Sequence, residues 1–338
     1  MRVATIHAPG DIRLEERPRP EISAPTDAVV KITAGCICGS DLWPYRGESP
    51  ITAGSTIGHE LVGVVEEVGS EVSSFAAGDF VIAPFCTCDN TCPHCRNGAH
   101  SACVNGGVIT GGQGEYALVT QAEGSLVKTA AAPDPEMIPS LLTLADVFPT
   151  GWHCAVSAGV GKGDTVVVVG DGAVGLCGVL AAVQMGAKRV VAMSRHQPRQ
   201  EIARTFGATH VVAERGKEGA AVIKELTDGV GADAVLECVG THDAMRQAFA
   251  VARPGSTVGF VGVPHGVNVP VGRMFGKNIG LAGGVAPVRR YLPELLDLVT
   301  SGAVNPGLVF DTVMPLADVA EGYRAMDRRT AIKVLLQP

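Results

Sequence analysis

The sequence has few aromatic residues and few charged ones. Only 4% of its 338 residues are Phe, Trp or Tyr and 18% are charged, whereas 46% are hydrophobic. A core therefore has to be built mainly from Val, Ala, Leu and Ile. At about 100–200 residues per domain, the length predicts two domains.

Features that the sequence lacks exclude several classes of protein. The 27 basic and 34 acidic residues, a net charge of −7, form no basic stripe, which argues against nucleic-acid binding. The longest apolar stretch, 165–187, is interrupted by Asp171 and several glycines, so we expect no membrane span. Residues 1–16 lack the apolar segment of a secretory signal, and we therefore expect a cytoplasmic protein.

Glycine is in surplus but follows no three-residue period. There are 43 glycines, well above a usual share of about 7%. Even with the 21 prolines, the total stays below the share that marks disordered low-complexity chains. The surplus therefore indicates neither collagen nor a linker. We expect glycine where another group must approach the backbone too closely for a side chain to fit.

The predicted secondary structure changes near residue 150. Residues 1–148 contain short alternating strands such as 28–33 and 61–68, which predict a compact β-rich domain. From 149 to 286, Val-rich strands alternate with helices, which predicts a parallel sheet covered on both faces. Residues 287–338 end in a strand and are expected to rejoin the first domain, giving an α/β fold.

A glycine-rich loop follows one of these strands. Gly170-Asp-Gly172-Ala-Val-Gly175 matches G-x-G-x-x-G, comes directly after a run of four valines and opens a helical segment. Gly170 would make the turn, Gly172 would let a pyrophosphate approach, and Gly175 would let helix and strand pack closely. This context favours dinucleotide binding over a plain strand-to-helix turn.

The end of the next strand indicates which dinucleotide is bound. NAD-binding chains usually carry an acid there for the ribose hydroxyls, yet no Asp or Glu lies between Lys188 and Gln200. Ser194, Arg195, His196 and Arg199 stand there instead. A hydroxyl and guanidinium groups suit a 2′-phosphate, which predicts NADP(H). The alternative is a solvated loop with incidental arginines.

Five of the ten cysteines are packed into one short segment, 86–103. Cys92, Cys95 and Cys103 supply three soft ligands with C-x2-C spacing, as in a closed structural zinc site. The fourth ligand is open at this point. Asp89 lies in the regular three-residue register and is slightly favoured, whereas Cys88 is the softer donor one position away.

Three further motifs are weak singly but informative together. They are C-G-S-D at 38–41, G-H-E at 58–60 and a segment around Asp146. With the cysteine lobe, the glycine loop and the final strand, they resemble the zinc-dependent medium-chain alcohol dehydrogenases along essentially the whole chain. The resemblance implies a GroES-like catalytic domain followed by a Rossmann domain.

The resemblance also implies a catalytic zinc. Cys38, His59 and Asp146 would be its ligands, with Glu60 as a possible fourth, and Asp41 would hydrogen-bond the far nitrogen of the His59 ring. Hydride would then pass directly between the substrate carbon and nicotinamide C4, with zinc as a Lewis acid on the substrate oxygen.

Two positions bear on the proton path and the substrate pocket. Ser40 matches the hydroxyl that accepts the alcohol proton in the family. Trp43 stands where well-known relatives have a relay histidine, and an indole N–H cannot accept a proton. Trp43 is therefore expected either to wall the substrate pocket or simply to pack in its loop.

By position, the resemblance assigns further nucleotide contacts. Thr150 and Val174 would meet the nicotinamide, the backbone of 261–263 its carboxamide, and Lys333 the phosphates. The full additional set is Thr150, Ala173, Val174, Cys238, Val239, Val261, Gly262, Val263 and Lys333. The cofactors implied are two zinc ions per chain and NADP(H), in a homodimer or homotetramer.

The function expected is hydride transfer between NADP(H) and a small alcohol, aldehyde or ketone. One alternative is a non-catalytic NADPH-binding structural or sensor protein. Trp43 is compatible with this alternative, because it stands in place of the relay histidine. Reduction of a C=C or C=N bond is a further variant, disfavoured because zinc chemistry is most useful on an oxygen.

Overall fold

The protein forms two units in a computed structural model that describes all 338 residues. The first unit combines Met1–Pro149 with Pro287–Pro338, and the second is Thr150–Ala286. The sequence-based boundary, between 148 and 149, lies one residue earlier than this one. No helix of the structure is long and apolar enough to cross a bilayer.

The first segment of the first unit consists mainly of short strands. They are β1 (Arg2–Ala8), β2 (Asp11–Glu16), β3 (Ala28–Cys36), β4 (Ser55–Thr56), β5 (Leu61–Val68), β6 (Phe80–Ala83), β7 (Cys86–Thr87), β8 (Gly107–Val108), β9 (Tyr116–Val119) and β10 (Val127–Lys128). Its helices are α1 (Leu42–Tyr45), α2 (Pro93–Arg96), α3 (Ala122–Ser125) and α4 (Ile138–Thr143), with 3-10 turns at Gly39–Asp41, His100–Ala102 and Pro135–Met137.

Strands and helices alternate in the second unit. Helix α5 (Val147–Ala158) leads into it from the first unit. The strands are β11 (Thr165–Val169), β12 (Arg189–Met193), β13 (His210–Val212), β14 (Ala232–Glu237), β15 (Ala252–Phe260) and β16 (Gly280–Gly283). The helices are α6 (Ala173–Gln184), α7 (Gln197–Thr205), α8 (Gly216–Leu226), α9 (His242–Val251) and α10 (Val271–Lys277).

The chain then returns to the first unit. This segment contains α11 (Val288–Thr300), β17 (Thr312–Pro315), α12 (Val319–Asp327) and β18 (Val334–Gln337), with 3-10 turns at Pro306–Val309 and Leu316–Asp318. Its last strand enters the main sheet of the unit, whose order is β10-β6-β5-β3-β18-β17 with β9 also on β3. Leu335 and Leu336 of β18 pair antiparallel with Cys36 and Gly35.

Alternating side chains explain the strands of the first unit. Val30 and Ile32 of β3 and Leu61 and Val65 of β5 point into one buried cluster, because successive side chains face opposite sides of a strand. Gly35 meets a different requirement. A Cβ there would stand 2.2 Å from the carbonyl oxygen of Gly112, so the glycine lets a loop pack directly on β3.

The second unit is built on a six-stranded parallel sheet of order β13-β12-β11-β14-β15-β16. Val167 of β11 pairs with Val191 and Val235 on either side, and all three are fully buried. Such strands are apolar on both faces because helices cover both. The strand order reverses between β11 and β14, which is the place where open α/β sheets bind ligands at their carboxyl ends.

Candidate functional site

Four potential metal ligands come together in the first unit. Cys38 follows β3, His59 and Glu60 precede β5, and Asp146 precedes α5. One ligand atom from each lies within 4.8 Å of the others. Oδ2 of Asp146 is 3.6 Å from Sγ of Cys38 and 3.4 Å from Nε2 of His59. Residues more than a hundred positions apart thus form one cluster.

Asp41 holds two members of this cluster in place. Its Oδ2 accepts a hydrogen bond from the backbone N–H of Cys38 at 2.9 Å, closing the 3-10 turn after β3. Its Oδ1 lies 3.5 Å from Nδ1 of His59, on the side of the ring away from Asp146. This is the position predicted for a carboxylate that fixes the tautomer of a metal-binding histidine.

The sequence analysis missed two residues behind Asp41. Gln113, 1% exposed, donates from Nε2 to Asp41 Oδ2 at 3.0 Å and accepts from the buried Tyr323 hydroxyl at 3.1 Å. Gly58 makes room for it, since a Cβ there would lie 2.5 Å from Cγ of Gln113 and its φ is +90°. The glycine of the G-H-E motif was the available signal, but its partner could not be read from sequence.

The surroundings of Lys333 differ from the prediction that this residue contacts the phosphates of the nucleotide. Its ammonium is buried, donates to Glu60 Oε1 at 2.7 Å and lies 3.3 Å from the carbonyl oxygen of Ile37. Lys333 directly precedes β18, so the pairing of that strand with β3 places it beside the metal-ligand cluster. The other oxygen of Glu60, Oε2, is buried with no hydrogen-bond partner.

The cluster is short of positive charge. Burial raises the pKa of the Cys38 thiol, and the nearby Glu60 and Asp146 raise it further. Burial also raises the pKa of Glu60, although Lys333 opposes this. A divalent cation would supply the missing positive charge and give Oε2 of Glu60, which has no hydrogen-bond partner, a group to bind. The sulfur, imidazole and carboxylate donors fit zinc.

A second group of ligands lies in the lobe after β7. Asp89, Cys92, Cys95 and Cys103 place one ligand atom each within 4.8 Å of the others, and the sulfurs of Cys92 and Cys103 are 3.9 Å apart. Asp89, rather than Cys88, completes this set.

The surroundings of Asp89 and Cys88 explain this choice. Asp89 Oδ1 accepts from the backbone of Thr91 and Cys92, and Oδ2 accepts from Asn105, which fixes the carboxylate in the lobe. Cys88 instead donates from Sγ to the carbonyl oxygen of Gly124 at 3.4 Å.

Backbone N–H groups in this lobe favour the thiolate form of Cys92, which is the form that binds a cation. The N–H of Cys95, with that of Val104, lowers the pKa of the Cys92 thiol to about 7. Zinc binds the thiolate, so a lowered thiol pKa favours binding near neutral pH. Four protein donors with no open position suit a closed structural site.

The glycine loop of the second unit has the geometry that its motif predicts. Gly170 has φ +121°, and a Cβ on Gly175 would lie 2.1 Å from the Gly170 carbonyl oxygen. Gly172 caps α6, and a Cβ there would meet nothing within 4 Å. No side chain caps the N-terminus of α6, and free N–H groups at a helix N-terminus are suited to binding an anion.

Comparison with known proteins agrees with both units. Family models match an alcohol dehydrogenase GroES-like domain at 24–131 and a zinc-binding dehydrogenase domain at 173–301. The chain is 36% identical over 350 residues to zinc-type alcohol dehydrogenase B of Aspergillus flavus, covering 100% of this chain and 81% of that protein. The chain belongs to the zinc-dependent medium-chain alcohol dehydrogenase family.

Two further relatives support the same family. A probable zinc-binding alcohol dehydrogenase of Mycobacterium tuberculosis is 35% identical over 349 residues, covering 100% of this chain and 89% of that protein. The solved structure of alcohol dehydrogenase TADH from Thermus sp. ATN1 has a TM-score of 0.92 at 32% identity, covering 100% of this chain and 99% of that one. As a family member, the protein is an alcohol oxidoreductase that uses zinc and a nucleotide cofactor.

In this dehydrogenase, an unexpected acid contacts the residues that follow β12. Asp171, inside the glycine loop, accepts from Ser194 Oγ at 2.8 Å and lies 3.5 Å from the Arg199 guanidinium. Arg195 is exposed. Arg215, also missed from sequence, donates to the Met193 carbonyl oxygen at 2.8 Å. Asp171 follows β11 and Arg215 follows β13, the two strands that flank β12. A predicted strand order would therefore have placed both residues near the end of β12.

Other positions taken from the dehydrogenase family lie elsewhere in the second unit. Val239 and Val263 are exposed on the loops after β14 and β15, and Thr150 is 8% exposed in α5. In the first unit, Ser40 lies in the 3-10 turn next to Cys38 and Trp43 lies in α1. Their roles stay predictions.

Proposed function

We propose that the protein is a zinc-dependent oxidoreductase that transfers hydride between NADP(H) and a primary or secondary alcohol, or the matching aldehyde or ketone. The observation that carries this proposal is the convergence of Cys38, His59, Glu60 and Asp146 within 4.8 Å. A chain that had lost turnover would have no need to keep these costly buried groups together.

Each residue of the cluster has a role in this proposal. Cys38, His59 and Asp146 hold the catalytic zinc, Lys333 draws Glu60 Oε1 to itself, and Asp41 fixes the His59 ring. When bound, zinc polarises the substrate oxygen and NADP(H) supplies or accepts the hydride. Ser40 lies two residues after Cys38 in the chain and takes the alcohol proton.

Ser194, Arg195, His196 and Arg199 support NADP(H) over NAD(H) because they offer a hydroxyl and cationic groups to a 2′-phosphate. Arg215 adds a further guanidinium, which donates to the carbonyl oxygen of Met193 at the end of β12. Asp171 opposes this choice, since its carboxylate already engages Ser194 and Arg199.

The lobe of Asp89, Cys92, Cys95 and Cys103 is proposed to hold a second, structural zinc, giving two ions per chain. We also propose a cytoplasmic homodimer or homotetramer that acts on small molecules.

The activity is tested by following NADPH absorbance with purified, zinc-loaded protein and a panel of aldehydes and ketones. We expect turnover that a chelator abolishes and zinc restores, with metal analysis giving two zinc ions per chain. His59→Ala should lose turnover by several orders of magnitude while still binding NADPH. NADPH binding without turnover across the panel, with both zinc ions bound, would support the non-catalytic alternative.

Nucleotide choice is tested by the double variant Ser194→Asp with Arg195→Asp. We expect its affinity ratio for NADPH over NADH to fall about a hundredfold, as two favourable contacts become repulsive. Arg204→Asp, an exposed charge reversal at the end of α7, is the control and should leave the ratio unchanged. A double variant that still prefers NADPH would show that these residues do not select the nucleotide.

A further inference from the structure

Glu237 is a buried carboxyl group that the proposed function leaves without a role. It ends β14 and is 0% exposed. Oε1 accepts hydrogen bonds from the backbone N–H groups of Val239 at 2.9 Å and Gly240 at 2.8 Å. Oε2 is buried with no partner. Burial raises the pKa of Glu237, and a buried acid of this kind is costly to keep.

The main chain of Glu237 binds a second loop. Its carbonyl oxygen accepts from the backbone N–H of Val261 at 3.0 Å and of Gly262 at 3.4 Å. One residue therefore takes four backbone N–H groups, two from the loop after β14 and two from the loop after β15.

The two loops are in direct backbone contact at this point. A Cβ on Gly240, whose φ is +84°, would lie 2.0 Å from the Val263 carbonyl oxygen, and one on Gly262 would lie 2.1 Å from the Gly240 nitrogen. The first loop also reaches the glycine loop, because a Cβ on Gly170 would lie 2.9 Å from Cγ2 of Val239. Loops after three neighbouring strands thus depend on one another at the carboxyl edge, where dinucleotides bind.

We propose that Glu237 is a positioning residue for the dinucleotide, which fastens the loops after β14 and β15 through Oε1 and its carbonyl oxygen. The proposal rests on the proposed function in that it requires this edge to bind a dinucleotide. Glu237 itself contacts no ligand. Its negative charge is not required, because Oε1 alone makes both side-chain bonds and an amide oxygen of the same shape can replace it.

The test compares Glu237→Ala, Glu237→Asp and Glu237→Gln in the full-length protein, using NADPH fluorescence to measure Kd. Ala removes the acceptor and Asp is one methylene too short, so both should weaken binding about tenfold or more, since two buried N–H groups lose their partner. Gln should restore binding to within about threefold of wild type. Hydrogen exchange of the 238–241 peptide should accelerate in Ala and Asp only.

Thr227→Val is the matched control. Thr227 is also buried and accepts from the Gly231 N–H at 2.9 Å, but it lies before β14, at the opposite end of the same strand. This variant should lower the unfolding temperature without weakening NADPH binding.

The proposal is overturned if Glu237→Ala and Glu237→Asp bind NADPH as wild type does, if Gln is as weak as Ala, or if Thr227→Val weakens binding equally. Binding is measured without turnover, so an inactive wild type that binds NADPH contradicts the proposed function alone. If wild type prefers NADH, the same variants are compared with that probe. A wild type that binds neither dinucleotide overturns both proposals.

Discussion

At the scale of single residues, the metal-ligand cluster depends on a side chain that touches no ligand atom of the metal. Gln113 links the buried Tyr323 hydroxyl to Asp41, and Asp41 faces His59. Gln113→Ala removes one of the two donors to Asp41 Oδ2 and the acceptor of the buried Tyr323 hydroxyl. We expect zinc affinity at the catalytic site to fall about 10–100-fold, as for other partners of metal-binding histidines.

Competition with a chromophoric chelator measures that affinity. Gln247→Ala, which also removes a buried glutamine but in the second unit, is the control and should leave zinc affinity unchanged. Equal zinc retention in Gln113→Ala would show that Asp41 needs no support from this side.

Asp171 gives a second prediction about one residue. Its carboxylate engages Ser194 and Arg199, two of the groups proposed to receive a 2′-phosphate. Asp171→Asn removes the negative charge and frees the guanidinium for the phosphate. We expect the Kd ratio to shift toward NADPH over NADH by about tenfold. A shift toward NADH in the same titrations would mean that Asp171 orients the cationic groups rather than competing for them.

At the scale of elements, two glycines of one motif should fail in different ways when changed to alanine. A Cβ on Gly175 would overlap the Gly170 carbonyl, so Gly175→Ala should lower the free energy of unfolding by about 1–3 kcal/mol. A Cβ on Gly172 meets no protein atom and its φ of −75° suits alanine. Gly172→Ala should lose less than about 1 kcal/mol yet bind NADPH poorly.

Urea denaturation and NADPH titration of both variants separate these effects. The result that would contradict the argument is strong nucleotide binding by Gly172→Ala, because the space beyond its Cα would then not be the phosphate position.

Strongly patterned elements could be predicted from sequence, and weakly patterned ones could not. The strand at 61–68 has the predicted bounds, because its valine-rich sequence differs clearly from the turns on either side. Strand β13, three residues long, and helix α10, with two glycines and no buried residue, carry little local signal. Their positions are set by neighbouring strands and helices.

The same distinction holds for the site. Cys38, His59 and Asp146 stand in recognisable motifs, and the structure brings them together. The partner of Lys333 could not be predicted, because it depends on how β18 pairs with β3 across most of the chain. Gln113 and Glu237 were missed for the same reason, since each acts through contacts that only the folded backbone creates.

At the scale of the whole molecule, both groups of metal ligands belong to one unit. Every residue of the two clusters lies in Met1–Pro149. Removing zinc with a chelator should therefore raise the rate of amide hydrogen exchange in the first unit on the order of tenfold. The rate in the second unit should change little, because different parts of a chain can have different local stabilities. Hydrogen-exchange mass spectrometry with and without chelator measures this. Equal deprotection of both units would contradict it.

The second unit should also fold without the first. It is continuous in sequence and has its own buried core around Val167, Val191 and Phe249. A protein of residues 147–286, which keeps α5 whole, should unfold cooperatively and bind NADPH. Calorimetry and nucleotide titration provide the measurements, and a non-cooperative transition would be the contrary outcome.

The position of β18 in the sheet affects the order in which the protein can mature during synthesis. The ribosome makes β18 after the whole of the second unit, yet this strand lies between β3 and β17, and Lys333 just before it neutralises Glu60. Domains fold as units while the chain emerges, so the parallel sheet can form while the catalytic unit still lacks a central strand. The ion pair that completes the surroundings of Glu60 can therefore form only after the second unit has been made.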